Sequence, residues 1–297
     1  MKQFILKRVV FEENSWRKLS NIEIPIAPRL TVIAGHNGIG KSSILGFIAN
    51  ASGVRTLDGF PEKSYFRTDF LSVFEEQFRL APADISTYVK GRGFILLDYE
   101  CKGEMVVKTF KIGKTKKRNG DIRYRVVPRT KKDEGTAMSL GVKKQGKISM
   151  PTLFVSAARL WPIGESAKVE VCKSILDPAD VEFMLRFHNQ IIPGEAVSAE
   201  QAGMSAHEVD IGLSEGRTMR TQHPNYHYEP TTISLGQGAL SSIATALASF
   251  KKIKRTLGRT YPGGILVIDE IEAGLHPRAQ IKLLDMSQSP SGFRPKL

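Results

Sequence analysis

Three clusters in this chain combine residue types and spacings that suit phosphate chemistry. The first, Gly35-His36-Asn37-Gly38-Ile39-Gly40-Lys41-Ser42, fits the pattern G-x-x-x-x-G-K-[ST]. Its glycines let the backbone curl until the N–H groups point inward at phosphate oxygens. A helix starting at the end of the loop adds the partial positive charge of its N-terminus. Lys41 would reach the β- and γ-phosphates of a bound nucleotide, and the Ser42 hydroxyl would take a place on Mg²⁺.

The second cluster is Gly264-Ile265-Leu266-Val267-Ile268-Asp269-Glu270. Its apolar run ending in two acids describes a buried parallel strand with carboxylates at its C-terminal edge, where ligands of open α/β sheets bind. Asp269 would hold Mg²⁺ and Glu270 would polarise an attacking water. The third cluster is Ile233-Ser234-Leu235-Gly236-Gln237-Gly238, followed by the helix formers of 239–247. Ser234 can cap that helix, while Gly236 and Gly238 leave backbone N–H groups open at its start.

These clusters need particular elements to hold them. Leu30-Thr31-Val32-Ile33-Ala34 reads as a short buried strand entering the first loop, and 42–50 as the helix leaving it. Residues 2–10 and 22–33 read as the two strands of an opening hairpin-like unit. Residues 66–80 carry Phe70, Val73, Phe74 and Phe78 at helical spacing, with Gln77 among them. An antiparallel sheet is expected over 93–128, with a turn at Lys102-Gly103-Glu104. Residues 129–150 are polar and lysine-rich and read as a loop. Leu153-Phe154-Val155 reads as a strand and 178–191 as a helix with Val181, Met184, Leu185 and Phe187 on its apolar side. Residues 193–230 read as irregular chain or short strands. Within them His223-Pro224-Asn225-Tyr226-His227 reads as a surface turn, because Pro224 disfavours a helix that could present both histidines to a metal.

Together the three clusters resemble the ATP-binding-cassette (ABC) class of P-loop ATPases. The resemblance is strongest to the repair and defence ATPases of the RecF and SMC type, and to the OLD-like and Septu-like ATPases of phage defence. The first cluster is similar to their Walker A motif. Ser234-Leu235-Gly236-Gln237-Gly238 is similar to their signature, and Ile268-Asp269-Glu270-Ile271-Glu272-Ala273-Gly274-Leu275-His276-Pro277 to their Walker B with the D-loop following. The segment Ser156 to Glu165, with Arg159, also looks like one found in such proteins. The resemblance implies an α/β P-loop NTPase core of the ABC type, with an inserted antiparallel β subdomain over 56–150 and a helical or irregular region over 151–232. It implies ATP and Mg²⁺ as cofactors. Nucleotide would lie on Gly35, Asn37, Gly38, Gly40, Lys41, Ser42 and Ser43, with Mg²⁺ on Ser42 and Asp269, and Lys41 and Glu270 in catalysis. In that class two heads face each other, so Ser234, Gly236 and Gly238 would act across a nucleotide-dependent homodimer. A glutamine before the signature senses Mg²⁺ there, and Gln77 is a candidate. His276 stands in the D-loop, where it reaches the partner head or caps a turn. After Asp269 only 28 residues remain (297 − 269), without a further strand or a switch histidine. This leads us to expect a shortened head or one completed by another polypeptide.

Net charge is +13, and fifteen Lys and Arg against four acids place +11 of it in 102–147. Such a segment could track a phosphate backbone of DNA or RNA, or be a solvated strand face. Cys101 and Cys172 have no CxxC partner, which excludes a cysteine zinc site and fits a reducing compartment. The charged N-terminus is no signal peptide, and no run approaches the ~18 apolar residues of a membrane span. The expectation is a cytoplasmic ATPase working as a nucleotide-dependent dimerisation switch in phage defence or DNA repair, with a nucleic-acid or nuclease partner. A nucleotide-binding module without turnover is the alternative, followed by the motor subunit of a membrane transporter.

Overall fold

A computed structural model of the chain describes residues 2–82, 84, 93–116, 120, 122–131, 134–156, 168–174, 176–193, 206–212, 218–227 and 229–288. The fold is mixed α/β, and its larger sheets are antiparallel. The chain forms two units, each assembled from separated segments. The first comprises Met1–Asp58, Phe70–Phe154 and Thr260–Val267; the second comprises Gly59–Asp69, Val155–Arg259 and Ile268–Leu297.

In the first unit, β1 (Ile5–Phe11) pairs with β2 (Ile22–Pro25) on one side and with β5 (Ile95–Cys101) on the other. Beyond β5 lie β6 (Glu104–Lys116) and β7 (Ile122–Thr130), completing a five-stranded sheet of order β2-β1-β5-β6-β7. The expected hairpin and antiparallel strands are present, but β5–β7 do not form a sheet of their own, because β5 is zipped onto β1. Alternation explains the choice: Ile95, Leu97, Tyr99 and Cys101 are buried and need a neighbouring strand to satisfy their backbone. A two-residue pair, β3 (Gly53–Val54) with β4 (Phe70–Leu71), follows the helix α1 (Lys41–Ala51).

Three local expectations give way to tertiary context. Only α2 (Phe74–Gln77) of the segment 66–80 is helical. In the second unit Arg67 takes a left-handed φ of 57°, and Ser64 Oγ donates to the carbonyl of Thr68, which together close a turn where a helix would have to run. The segment 129–150 is not a plain loop: it holds α3 (Glu134–Ser139), and Ala137, Leu140, Val142, Ile148 and Met150 join the core. Some of its charge is also committed. Lys147 Nζ donates to the carbonyl and Oδ1 of Asn50 and to the carbonyl of Ser72, at 2.5, 2.7 and 2.8 Å. Lys108 of β6 is fully buried on Thr130, and burial pushes its ammonium down to about 8.

The strand β8 (Thr152–Val155) pairs with β12 (Ile265–Ile268). In the first unit the amide of Ile265 donates to the carbonyl of Pro151, and in the second that of Asp269 donates to the carbonyl of Val155. The constant offset makes the pair parallel, as the apolar run at 265–268 suggests. Only Val267 of that run is buried, however, and the other three residues are half-buried.

In the second unit β9 (Val169–Ser174), β10 (Ala206–Gly212) and β11 (Thr218–Pro224) form an antiparallel sheet of order β11-β10-β9; β10 and β11 fall where irregular chain or short strands were expected. Two helices accompany it, α4 (Pro178–Ile191) and the 23-residue α5 (Leu235–Leu257); α6 (Pro277–Gln288) follows. The α4 helix matches its expected bounds, and Val181, Met184, Leu185 and Phe187 are all buried. Asp180, without exposure, receives both guanidinium branches of Arg255 at 2.7 and 2.5 Å and the Tyr65 hydroxyl at 2.6 Å. His223 is not on a surface turn. It is buried in β11, while Tyr226 reaches His188 Nδ1 and Ser241 Oγ at 3.2 Å each. Burial pushes the His188 and His223 imidazoles down to about 3, so both are neutral packing residues. Among the described residues, no helix is long and apolar enough to cross a membrane.

Candidate functional site

The glycine loop ends where it should for an anion. Asn37 and Gly38 make a turn, Gly38 has φ 76° and Gly40 φ 112°, and α1 starts at Lys41. At the helix start no side chain caps the first amides, and the first turn contains no acid. A helix start without a side-chain cap can present its first amides to a ligand's oxygens. Lys41 Nζ folds back over the loop and donates to the carbonyls of Gly35 at 2.6 Å and His36 at 3.2 Å. This draws the loop into a ring with one ammonium at its mouth. Residues Gly35 to Ile39 are exposed, Gly40, Lys41 and Ser42 are half-buried, and Ser43 is buried. A side chain at Gly38 would meet nothing within 4 Å, so the loop faces open space there.

The helix behind the loop is firmly seated. Phe47 of α1 is fully buried, with ring centroids 4.6 Å from Phe74, 5.0 Å from Phe110 and 5.1 Å from Trp16. Such pairs add roughly 0.5–1.5 kcal/mol each beyond the area they bury. Leu19 closes on the loop's last glycine, 3.1 Å from where a Cβ on Gly40 would stand. Both the left-handed φ and this contact require glycine there. The segment before the loop differs from expectation. Residues 30–34 pair with no strand among the described residues, and Val32 is 65% exposed. A parallel strand needs a partner on at least one edge, and this segment has none there.

The second unit holds the acids and the serine-glycine turn. Asp269 is buried at 8% exposure, while Glu270 is exposed in a left-handed conformation, φ 54°. For a residue with a Cβ that conformation costs about 1–2 kcal/mol. It turns the chain sharply after β12. Among the described residues no group of three metal-binding side chains exists.

Ser234 caps α5 as expected. Its Oγ accepts from the Gln237 amide at 3.3 Å, and Gln237 Oε1 accepts from the Ser234 amide at 2.7 Å. Sequence reasoning missed the second half of this capping box, although the S-x-x-Q spacing announces it. The box braces the helix start against the turn after Glu270: a Cβ on Gly236 would stand 2.8 Å from the Gly274 carbonyl oxygen. Gly238 faces open space. The two glycines should therefore respond with opposite signs. Gly236→Ala overpacks the turn and should cost about 1–3 kcal/mol in denaturant unfolding. Gly238→Ala, in a helix and unobstructed, should stabilise by about 0.5–1 kcal/mol. Shifts of the same sign in both variants would refute the bracing.

The other expected residues fall as follows. His276 caps α6, its Nδ1 accepting from the Arg278 amide at 3.2 Å. Gln77 ends α2, half-buried, and Arg159 lies outside the described residues. Lys41, Ser42 and Ser43 stand in the first unit, and Ser234, Gly236, Gly238, Asp269 and Glu270 in the second. No family model, curated protein or solved structure matches the chain, so the candidate site stands on its own residues.

Proposed function

We propose that the chain is an ATP-binding and ATP-hydrolysing switch of the ABC-type P-loop class, working as a nucleotide-dependent homodimer. The observation that carries this reading is the loop at 35–42, ringed by Lys41 on the Gly35 and His36 carbonyls and ending in an uncapped helix start. That arrangement favours a polyanion over any neutral ligand. On binding, Lys41 exchanges its two loop carbonyls for phosphate oxygens. In the first unit the α1 amides would take the remaining oxygens and Ser42 would be a ligand for Mg²⁺; in the second unit Asp269 would be the carboxylate for that ion, which would supply counter-charge to the phosphates. Glu270 orients the water and accepts its proton. Ser234, Gly236 and Gly238 mark a second helix start; the Gly238 amide donates to the Ser234 carbonyl and the Gln237 amide to Ser234 Oγ, so the Leu235 and Gly236 amides would be the ones to face an anion. In the dimer this helix start serves the nucleotide bound by the partner. The output of the switch falls on nucleic acid or a nuclease partner, in phage defence or DNA repair.

The test uses the full chain with ATP, with and without Mg²⁺, reading phosphate release and mass by light scattering together. Mg²⁺-dependent release with a shift from the 32.9 kDa monomer toward twice that mass is expected. A well-folded chain that stays monomeric at high concentration and releases no phosphate would overturn the reading.

A further inference from the structure

The structure redistributes the positive charge that composition places across 102–147. Lys108 is buried on Thr130, Lys147 is held by three oxygens, and Lys131 lies 3.3 Å from Glu12 and over the Phe94 ring. None of these is free to meet a ligand. Lys102, Lys143 and Lys144 are exposed elsewhere, but the largest remaining group of exposed cations among the described residues lies on the outer part of the β6–β7 pair. β5 pairs with β6 only as far as Lys108, whereas β6 and β7 stay in register out to Lys116 and Ile122. Past Ile112 and Val126 both strands emerge from the core, so the pair continues as a two-stranded ribbon.

Cross-strand partners share a face. One face carries Lys111 opposite Val127, Gly113 opposite Arg125 and Thr115 opposite Arg123. The other carries Lys114 opposite Tyr124 and Lys116 opposite Ile122. Lys111, Lys114, Lys116, Arg123 and Arg125 are all exposed, and no salt bridge among the described residues engages them. We infer that this ribbon is an arm that enters a groove of double-stranded DNA, its two basic faces meeting the two phosphate rims. The inference rests on the nucleic-acid output proposed above and gives it a place.

Shape and charge select this partner. A major groove about 12 Å wide admits a two-stranded ribbon. Cations on both faces suit a ligand with charge on both sides. An anionic membrane would meet one face only, leaving the other basic face in water. The contact is to the backbone and so indifferent to sequence.

The experiment titrates the full chain, without nucleotide, into a fluorescent DNA duplex of roughly 30 base pairs, about three helical turns. Phosphatidylserine vesicles and a single strand of equal length run alongside. The variants are Lys41→Ala and the combination Lys111→Gln, Lys114→Gln, Arg123→Gln and Arg125→Gln. Five phosphate contacts predict a salt slope of about −4.5, so affinity falls about 500-fold between about 50 and 200 mM salt. The fourfold variant should retain a slope of about −1, having one arm cation left. Circular dichroism should be unchanged, because all four positions are exposed. Lys41→Ala should bind duplex like the parent. Failure of the ATP reading therefore leaves this test standing, and failure of the arm leaves the ATP reading standing. Parent-like duplex binding by the fourfold variant, binding to vesicles but not to duplex, or equal affinity for single strand and duplex would each overturn the inference.

Discussion

Glu270→Gln is expected to lower ATP turnover by roughly 10²- to 10⁴-fold, the usual contribution of a positioned general base, while nucleotide binding stays intact. The argument rests on backbone as well as side chain. Glu270 stands in a left-handed conformation that a residue with a Cβ adopts only at a cost. Glutamine carries the same Cβ and bears the same cost, so turn and fold are preserved and only the carboxylate is lost. The amide cannot accept the proton of the attacking water. Bound ATP should accumulate, and with it the dimer. Phosphate release in a single turnover, beside equilibrium binding of a fluorescent ATP analogue, separates the two steps. Undiminished release would remove Glu270 from the chemistry and return its conformation to a simple turn.

Lys41→Ala should act one step earlier and abolish measurable ATP binding at ordinary concentrations. The ammonium is held by two loop carbonyls, at 2.6 and 3.2 Å, and is the one full charge at the helix start. Each hydrogen bond from a charged group is worth about 1.5–3 kcal/mol, so losing two amounts to a factor of roughly 10²–10⁴ in affinity. The carbonyls left behind are exposed and rehydrate, so stability should hardly move. Lys41→Arg would not restore binding, because a planar guanidinium cannot occupy the ring as a compact point charge. Calorimetric titration with ATP checks both variants. Parent-like affinity in Lys41→Ala would withdraw the loop as the nucleotide site.

The loop, its helix and the capped helix 235–257 were legible in the sequence because their causes are local. A glycine with positive φ, a lysine one turn away and a serine ahead of a helix act within a few residues. The residues 30–34 were legible as extended but not as paired, since pairing is a property of the neighbours. The sheet β9–β11 was obscured because its buried set includes Glu208, Gln222 and His223 beside Val209 and Ile211. Polar residues bury there by finding partners across strands, as when Gln222 Nε2 donates to Glu208 at 2.8 Å. Charge was the least legible quantity. Composition counts a lysine wherever it lies, yet Lys108 and Lys147 serve the interior while Lys111 and Arg125 reach solvent.

The interleaved segments of the two units bear on how the protein is made. The first unit holds residues from both Met1 and Val267, and the second begins at Gly59. On a ribosome adding about 5–20 residues each second, β1 waits for β5, and β8 waits more than a hundred residues for β12. The glycine loop at 35–42 is therefore translated early and its unit completed late. The five-stranded sheet is complete at β7, but β8 lacks its neighbour until 265–267 emerge and stays open to misassociation. Neither unit can be cloned as a single stretch. A circularly permuted chain that brings 260–267 ahead of Met1 offers a shorter route to a self-sufficient loop-bearing fragment.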